Sequence, residues 1–495
     1  MVGVRPMRTV ARVQPDLRRV VGRPYIPGDD PVPGGQTRLE AIAERVLALT
    51  DAEVTEALED VRARFTSRHR HLERMIERNM APIVELLGAA DKDRCLLGGA
   101  YLTHEFTFEG AALTNPSMVV APDQSHVPDG AVRFILSLRA IGEGHLSSIE
   151  FRTGLAGPDG SVSLDEISLR AETGERSNAV YERSFFSSKL GELGADERLA
   201  AVVLDQLPRH FDSRQLEHAL GALDDRPRAI AHETVRLMRR LAASNYLLVF
   251  DPDTKISERL MWPESPVESR GMEDARFVRF TESGGVTTYY GTYTAFDGFG
   301  ILPQLIETND FRSFEISTLN GRHAQNKGIA LFPRLINGRY VALSRPDREN
   351  IHVLQSDNPR FWSEPSTLVR RPRRSWELIQ MGNCGSPIET TQGWLVLTHG
   401  VGPMRTYRLG VLLLDLDDPD KVLADLDQPL LEPEEADRDG YVPNVVYSCG
   451  AMVHGDHLLV PYGVADRSAN VAAFSVEALL DELLADQRVR RSGRS

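Results

Sequence analysis

The sequence predicts an all-β protein, a five-bladed β-propeller with helical additions, and three features carry that expectation. Five β-rich segments share one layout: a Gly-bearing turn, an apolar or aromatic strand, then a polar residue near the strand's end. They read DGAVRFILSLRA with Arg139, SGGVTTYYGTYTAFD with Asp297, NGRYVALSRPD with Arg345, QGWLVLTHG with His399, and GDHLLVPYGVAD with Asp466. The later turn glycines, Gly285, Gly338, Gly393 and Gly455, recur at intervals of 53, 55 and 62 residues. A period in the fifties with several short strands per repeat is the pattern of propeller blades. If each of these strands begins its blade and lines the central axis, the five polar ends ring one axial pocket.

The additions follow in chain order. Residues 1–36, rich in Arg, Pro and Gly without periodicity, are expected to form an extended, flexible arm. An N-terminal helical extension follows over 37–95. Leu39, Ile42, Val46 and Leu49 share one face, Thr50 with Glu53 makes a capping box ahead of Val54, Leu58, Val61 and Phe65, and a third helical stretch runs from Leu72 to Leu87. Such amphipathic helices need a partner surface, in the main domain or in a second subunit. The propeller spans 100–475 and is interrupted between its first two blades by an insertion, helical over about 190–245, with runs near Glu197–Leu207, Ser213–Leu223 and Ala229–Ala243. It fits a solvent-facing elaboration, an oligomer contact or a pocket rim. Residues 476–495 close the chain with a short helix, Val476–Leu484, and a basic tail, RVRRSGRS, expected to be solvated.

Composition narrows the function. Against 57 Lys and Arg stand 71 Asp and Glu, a net charge of −14 that disfavours a general nucleic-acid surface while leaving room for a local anion pocket. No apolar run approaches the roughly 18 residues of a membrane span. The basic N-terminus lacks the apolar core of a secretory signal. Cys95, Cys384 and Cys449 show no CxxC spacing, which fits a reducing cytoplasm and predicts neither a disulfide frame nor a zinc site. The P-loop, GxGxxG, GxSxG and HExxH patterns are missing, so nucleotide, serine-hydrolase and zinc-protease chemistries lack their usual supports.

The chemistry concentrates in the stretch Arg270–Gly298. Carboxylates and an arginine beside an apolar strand are costly to bury unless paired or ligand-bound. In GMEDAR, Asp274 and Arg276 make a structural salt bridge, or Asp274 is a general acid with its pKa tuned toward the working pH. Asp297 binds sugar hydroxyls or caps a turn, and Asn115 in TNPS contacts substrate hydroxyls or marks an Asn-Pro turn. Arg345, His399, Arg405 and Tyr407, converging on one axis, suit an anion such as phosphate through charge-assisted hydrogen bonds.

GMEDARFVRF with YTAFDG, NKGIALFPRLINGRYVALSRP, GWLVLTHGVGPMRTYRLGVLLLDLDDPDKVL, DGYVPNVVYSCG and LVPYGVAD closely resemble glycoside hydrolase family 130, over about residues 105–475 without the insertion. The resemblance implies a five-bladed propeller and β-mannoside phosphorolysis, with β-1,2-mannosidases as the family's minority. By resemblance Asp274 matches the catalytic aspartate of the E-D-P-R motif, Ala275 replacing proline. Asn115, Arg139 and Asp466 look like mannose contacts, with Glu273, Arg276 and Asp297 beside them, and Arg345, His399, Arg405 and Tyr407 look like the phosphate site. The implied reaction uses inorganic phosphate as co-substrate, needs no cofactor or metal, and gives α-D-mannose 1-phosphate with inversion, the proton passing through a mannose hydroxyl.

One departure stands out: in WELIQMGNCGSP, Gln380 takes the place where a lysine is common, removing one phosphate-binding charge. A hydrolase would need a second carboxylate about 6.5–9.5 Å from the first, for which Glu273, Glu349, Glu389 and Asp439 are available. A non-catalytic sugar-binding propeller would be marked by loss of the acid, and Asp274 is present. The expected partners are a β-mannoside oligosaccharide and phosphate, not nucleic acid or membrane, with self-association through the extra helices.

Overall fold

The structure, a computed structural model, describes residues 5–28, 32, 35–221 and 229–492. It is mostly sheet, with ten α-helices among the described residues. Its main body is five antiparallel groups of four strands. The first comprises Ala112–Val120, Val132–Ile141, Ser147–Ala156 and Val162–Leu164, and the second Gly271–Thr281, Thr287–Phe296, Ile301–Thr308 and Ser313–Thr318. These two join in one eleven-stranded sheet through a parallel register point, Gly271 opposite Ser147. The third runs Ala330–Leu331, Tyr340–Ser344, Ile351–Ser356 and Thr367–Arg370, and the fourth Gln380–Asn383, Gly393–Val401, Tyr407–Leu414 and Val422–Asp425. The fifth is Val446–Tyr447, His457–Val464 and Ser468–Ser475, completed by Met7–Val13 from the other end of the chain.

The cores explain why the strands read as near-continuous apolar runs. Leu458, Val460 and Tyr462 pack toward the fourth group, while Leu459 packs toward the first. One apolar cluster lies between each successive pair of groups, and another joins the fifth back to the first through Phe134, Leu459, Val471 and Val13. Strands buried on both faces lose the polar alternation of a half-exposed sheet.

Three expectations need correction. The glycine-turn strands do not begin their groups: each is second, antiparallel to the first, because the motif marks the return arm of a hairpin. That arm ends where the first strand starts, so its terminal polar residue still arrives at the same end of the group. Secondly, the supposed flexible arm holds two strands. Met7–Val13 pairs with Ser468–Ser475, and Val20–Pro24 pairs with Thr103–Thr107. The backbone donors and acceptors of Ser468–Ser475 need a partner, and this segment supplies it. Thirdly, the last helix runs Val476–Ser492, so most of the basic tail is helical.

The N-terminal extension has five helices from Arg38 to Tyr101, with capping boxes at Thr37 and Glu40 and at Thr50 and Glu53. The insertion forms its own core around Phe186, Val203, Leu216 and Met238. Its helices are Arg183–Glu192, Glu197–Leu204, Ser213–Gly221 and Ala229–Ala243, the end of the expected run to Leu223 lying outside the described residues. Two further segments of it, Tyr246–Val249 and Glu175–Asn178, extend the second group at its outer edge. Among the described residues no helix is long and apolar enough to cross a membrane.

Candidate active site

Two bulges build the centre of the site. The first strands of groups one and two shift register between Thr114 and Ser117 and between Glu273 and Arg276. Pro116 contributes to the first break, since it has no N–H for the ladder. Asn115 and Asp274 take left-handed backbone there, with φ of 51° and 57°, a region Asn and Asp tolerate better than most residues. The bulges turn both side chains to one point, and Asn115 Nδ2 donates to Asp274 Oδ1 at 2.6 Å.

Arg139 spans the neighbouring acids, donating from Nη2 to Glu273 Oε1 at 2.8 Å and from Nη1 to Asp274 Oδ1 at 3.4 Å. Lys327 Nζ pairs with the other oxygen of Glu273. Arg276 does not make the side-chain salt bridge that GMEDAR suggests: it donates to the backbone carbonyl of Asp274 and to the Tyr447 hydroxyl, both at 2.9 Å. Thr114 Oγ1 donates to Asp466 Oδ1 at 3.4 Å.

The two aspartates are driven apart. Burial alone would raise the Asp274 carboxyl, but Arg139, Arg276, Lys327 and the Asn115 amide outweigh it and hold the group down at about 2. In the free chain the surroundings of Asp274 therefore favour its ionised form. Burial and the negative charge of Asp274 push Asp466 up to about 6, against the opposing pull of Arg139.

Beside this centre, Arg345 Nη1 donates to His399 Nε2 at 2.9 Å. Burial, then the Arg345 and Arg276 charges, hold the buried His399 well below the usual imidazole range. It is thus neutral and orients Arg345 rather than adding a positive charge of its own. Its ring stacks on Tyr407, centroids 6.1 Å apart, and Gln380 Nε2 donates to the Tyr407 hydroxyl at 3.4 Å. Arg405 is exposed, 6.0 Å from the Tyr407 ring. Gly382 permits this packing, since a Cβ there would fall 2.6 Å from His399 and 2.7 Å from Arg345.

Asp297 lies apart from these contacts. It accepts from the backbone N–H groups of Phe299 and Gly300 and pairs with Arg240 of the insertion. Of the possible second acids, Glu389 pairs with Arg334 at 2.7 Å, while Glu349 and Asp439 are exposed. Sequence reasoning missed Lys327, Thr114 and Tyr447. The lone cation in NKGIALFP was the available signal for the first. For the others, pairing across the fold carries the role and leaves no local mark.

A family model described as beta-1,4-mannooligosaccharide phosphorylase matches residues 252–484. That span includes Asp274, Lys327 and Arg345 and leaves out Asn115 and Arg139. A 1,2-beta-oligomannan phosphorylase of Thermoanaerobacter sp. (strain X514) is 36% identical over 235 residues, covering 45% of this chain and 74% of that protein. A beta-1,2-mannobiose phosphorylase of the same organism is 38% identical over 226 residues, covering 43% of this chain and 70% of its own length. Among solved structures, the beta-1,2-mannobiose complex of the Listeria innocua beta-1,2-mannobiose phosphorylase aligns with a TM-score of 0.44 at 23% identity, over 76% of this chain and 93% of that one.

Proposed function

The chain belongs to glycoside hydrolase family 130, and from that premise we propose that it is a phosphorylase cleaving β-D-mannosides with inorganic phosphate to give α-D-mannose 1-phosphate. The observation that supports this reading is the bulge that brings Asp274 against Asn115 and Arg139, with Arg345 held on His399 beside it. We read Asn115, Arg139 and Asp466 as holding the terminal mannose, and Arg345, Lys327, Arg405 and the Tyr407 hydroxyl as holding phosphate. Glu273 ties the two halves, because Arg139 and Lys327 share it. Arg276 sets the backbone at Asp274, and we assign His399 to aiming the Arg345 guanidinium. Asp297 passes from the sugar site to the rim.

A phosphate dianion brought next to Asp274 adds negative charge, and the saccharide displaces water, so both raise its pKa. The aspartate gains its proton as the complex assembles and delivers it, through a mannose hydroxyl, to the departing oxygen. Phosphate held in line attacks the anomeric carbon with inversion. No group beyond phosphate is required. We take the five strand groups as blades of a propeller, with the site at the end where the second strands finish, and expect a cytoplasmic protein that keeps its three thiols reduced. The extra helices are our candidate for self-association.

The relatives' names favour a β-1,2 linkage, while the family description names β-1,4. The test is a product assay on both mannobioses, with and without phosphate, for the native chain and Asp274→Asn. Phosphate-dependent mannose 1-phosphate, falling at least about 100-fold in the variant, is the expected result. Gln380 favours the second reading, hydrolysis, because the place of a common phosphate-binding lysine is held by a neutral amide bonded to Tyr407. Free mannose formed equally without phosphate would establish that reading instead.

A further inference from the structure

Past the end of strand Thr287–Phe296 the chain makes a tight turn, Asp297–Gly300, that carries a fully exposed aromatic, Phe299, at 100% exposure. The turn is built rather than loose. Asp297 Oδ1 accepts from the Phe299 and Gly300 N–H groups at 2.9 and 2.7 Å, and its second oxygen is held by Arg240 from helix Ala229–Ala243. Gly298 has φ 94° and packs against the exposed Arg270, where a Cβ would come within 3.3 Å of the arginine side chain.

Register places this turn relative to the chemistry. Phe296 lies opposite Gly271, and Asp274 is three residues further along the same strand, roughly 10 Å at the strand rise. The path from Asp274 back to Arg270 runs from buried to exposed backbone, so it leads out of the site. The mannose being transferred must contact both Asp274 and phosphate and therefore occupies the buried end. On the mannoside reading of the site, the leaving group extends from there toward Phe299, beyond the first ring.

We propose that the helical insertion builds an outer saccharide subsite: Phe299 is a stacking platform for a sugar ring of the leaving chain, and Arg240 is a positioning residue that fixes the turn presenting it. A flat apolar face held on a rigid turn suits the C–H face of a pyranose. The ligand class is a β-linked mannooligosaccharide of three or more units. The proposal rests on the mannoside reading of the site and explains what the insertion adds to it.

The test separates the two. Binding is measured by calorimetry on the Asp274→Asn chain, with and without Phe299→Ala, using β-1,2-linked mannobiose, mannotriose and mannotetraose. Affinity should rise with length in the parent, and Phe299→Ala should remove that rise, about 5–10-fold at the tetraose with a much smaller change at the biose. Phe299→Trp should keep it. Arg240→Met should lower affinity for the longer chains in the same pattern, and Arg240→Lys should restore it. On the otherwise native chain, Phe299→Ala should raise KM for mannotetraose while leaving its kcat. Equal losses at every length, or none, overturn the proposal. So does a variant whose only change is a shift in solution mass from dimer to monomer, which would assign Phe299 to a subunit contact. Length-dependent binding loss in a chain that makes no mannose 1-phosphate would keep the platform and refute the phosphorylase reading.

Discussion

Asp274 and Asp466 flank Arg139 and titrate in opposite directions, which separates their effects on stability as well as their roles. The Asp466 carboxyl is raised from 3.8 to about 6, first by burial and then by the charge of Asp274. A group that holds its proton more tightly when folded favours the fold below its unfolded value, near pH 4, and loses that contribution as pH rises through about 6. At pH 8 the folded chain carries an ionised, poorly solvated Asp466 that the unfolded chain does not disfavour. Asp466→Asn should therefore stabilise the chain at pH 8 by about 1–2 kcal/mol and by nothing measurable below pH 4, while it lowers activity. Urea midpoints at the two pH values decide it, and an equal effect at both would mean that hydrogen bonding rather than charge sets the difference. Asp274 follows the reverse rule: its depressed value contributes stability above about pH 4 that is lost as pH falls toward 2.

At the scale of elements, the connection between Met7–Val13 and Val20–Pro24 is fixed by a buried clamp of two arginines and two glutamates. Arg19 Nη1 donates to Glu109 Oε1 and Glu150 Oε2, each at 2.5 Å, and Arg152 closes the square on the same two acids at 2.9 and 2.8 Å. Burial pushes Glu150 up to about 8, while Arg152 and Arg19 overcome burial to keep Glu109 low. Removing one member of such a set leaves a buried charge without its partner. Arg19→Met should cost about 3–5 kcal/mol in urea denaturation, and adding Glu150→Gln should recover part of it. A loss under about 1 kcal/mol would mean that the clamp does not hold the segment. The sequence did not disclose this element: in MRTVARV the apolar Val10 shares the exposed face with Arg8 and Arg12 and blurs the strand alternation, and the open edge of Ser468–Ser475 makes it a strand. Legible elements were those whose signal is local, such as the Thr50 and Glu53 capping box and the helical run Ala229–Ala243. The bulges were not, since GMEDAR looks the same in or out of register until Thr287–Phe296 lies beside it. For the same reason Asp274 and Asn115 could be nominated separately, while their 2.6 Å contact could not be foreseen.

Over the whole molecule, Met7–Val13 pairs with Ser468–Ser475 at the outer edge of the fifth strand group, so this strand closes the junction between the fifth group and the first. Ala11 and Val13 enter the core between the fifth and first groups, beside Phe134 and Leu459. That junction also carries Thr114 on one side and Asp466 on the other, so closure and site geometry depend on the same contact. Deleting residues 1–13 should remove the outer strand, open the edge of Ser468–Ser475 and cost at least about 2–3 kcal/mol from lost apolar burial alone. The melting midpoint should fall and light scattering should rise, because an unpaired edge recruits other chains. Activity should fall more steeply than folded fraction, since Thr114 and Asp466 are no longer held in register. A synthetic peptide of residues 1–15 added in trans should restore the midpoint and the activity together, strand pairing being non-covalent. Recovery of the midpoint without activity would separate closure from the site. A truncated chain as stable and active as the parent would show that the remaining contacts between the fifth and first groups hold that junction unaided.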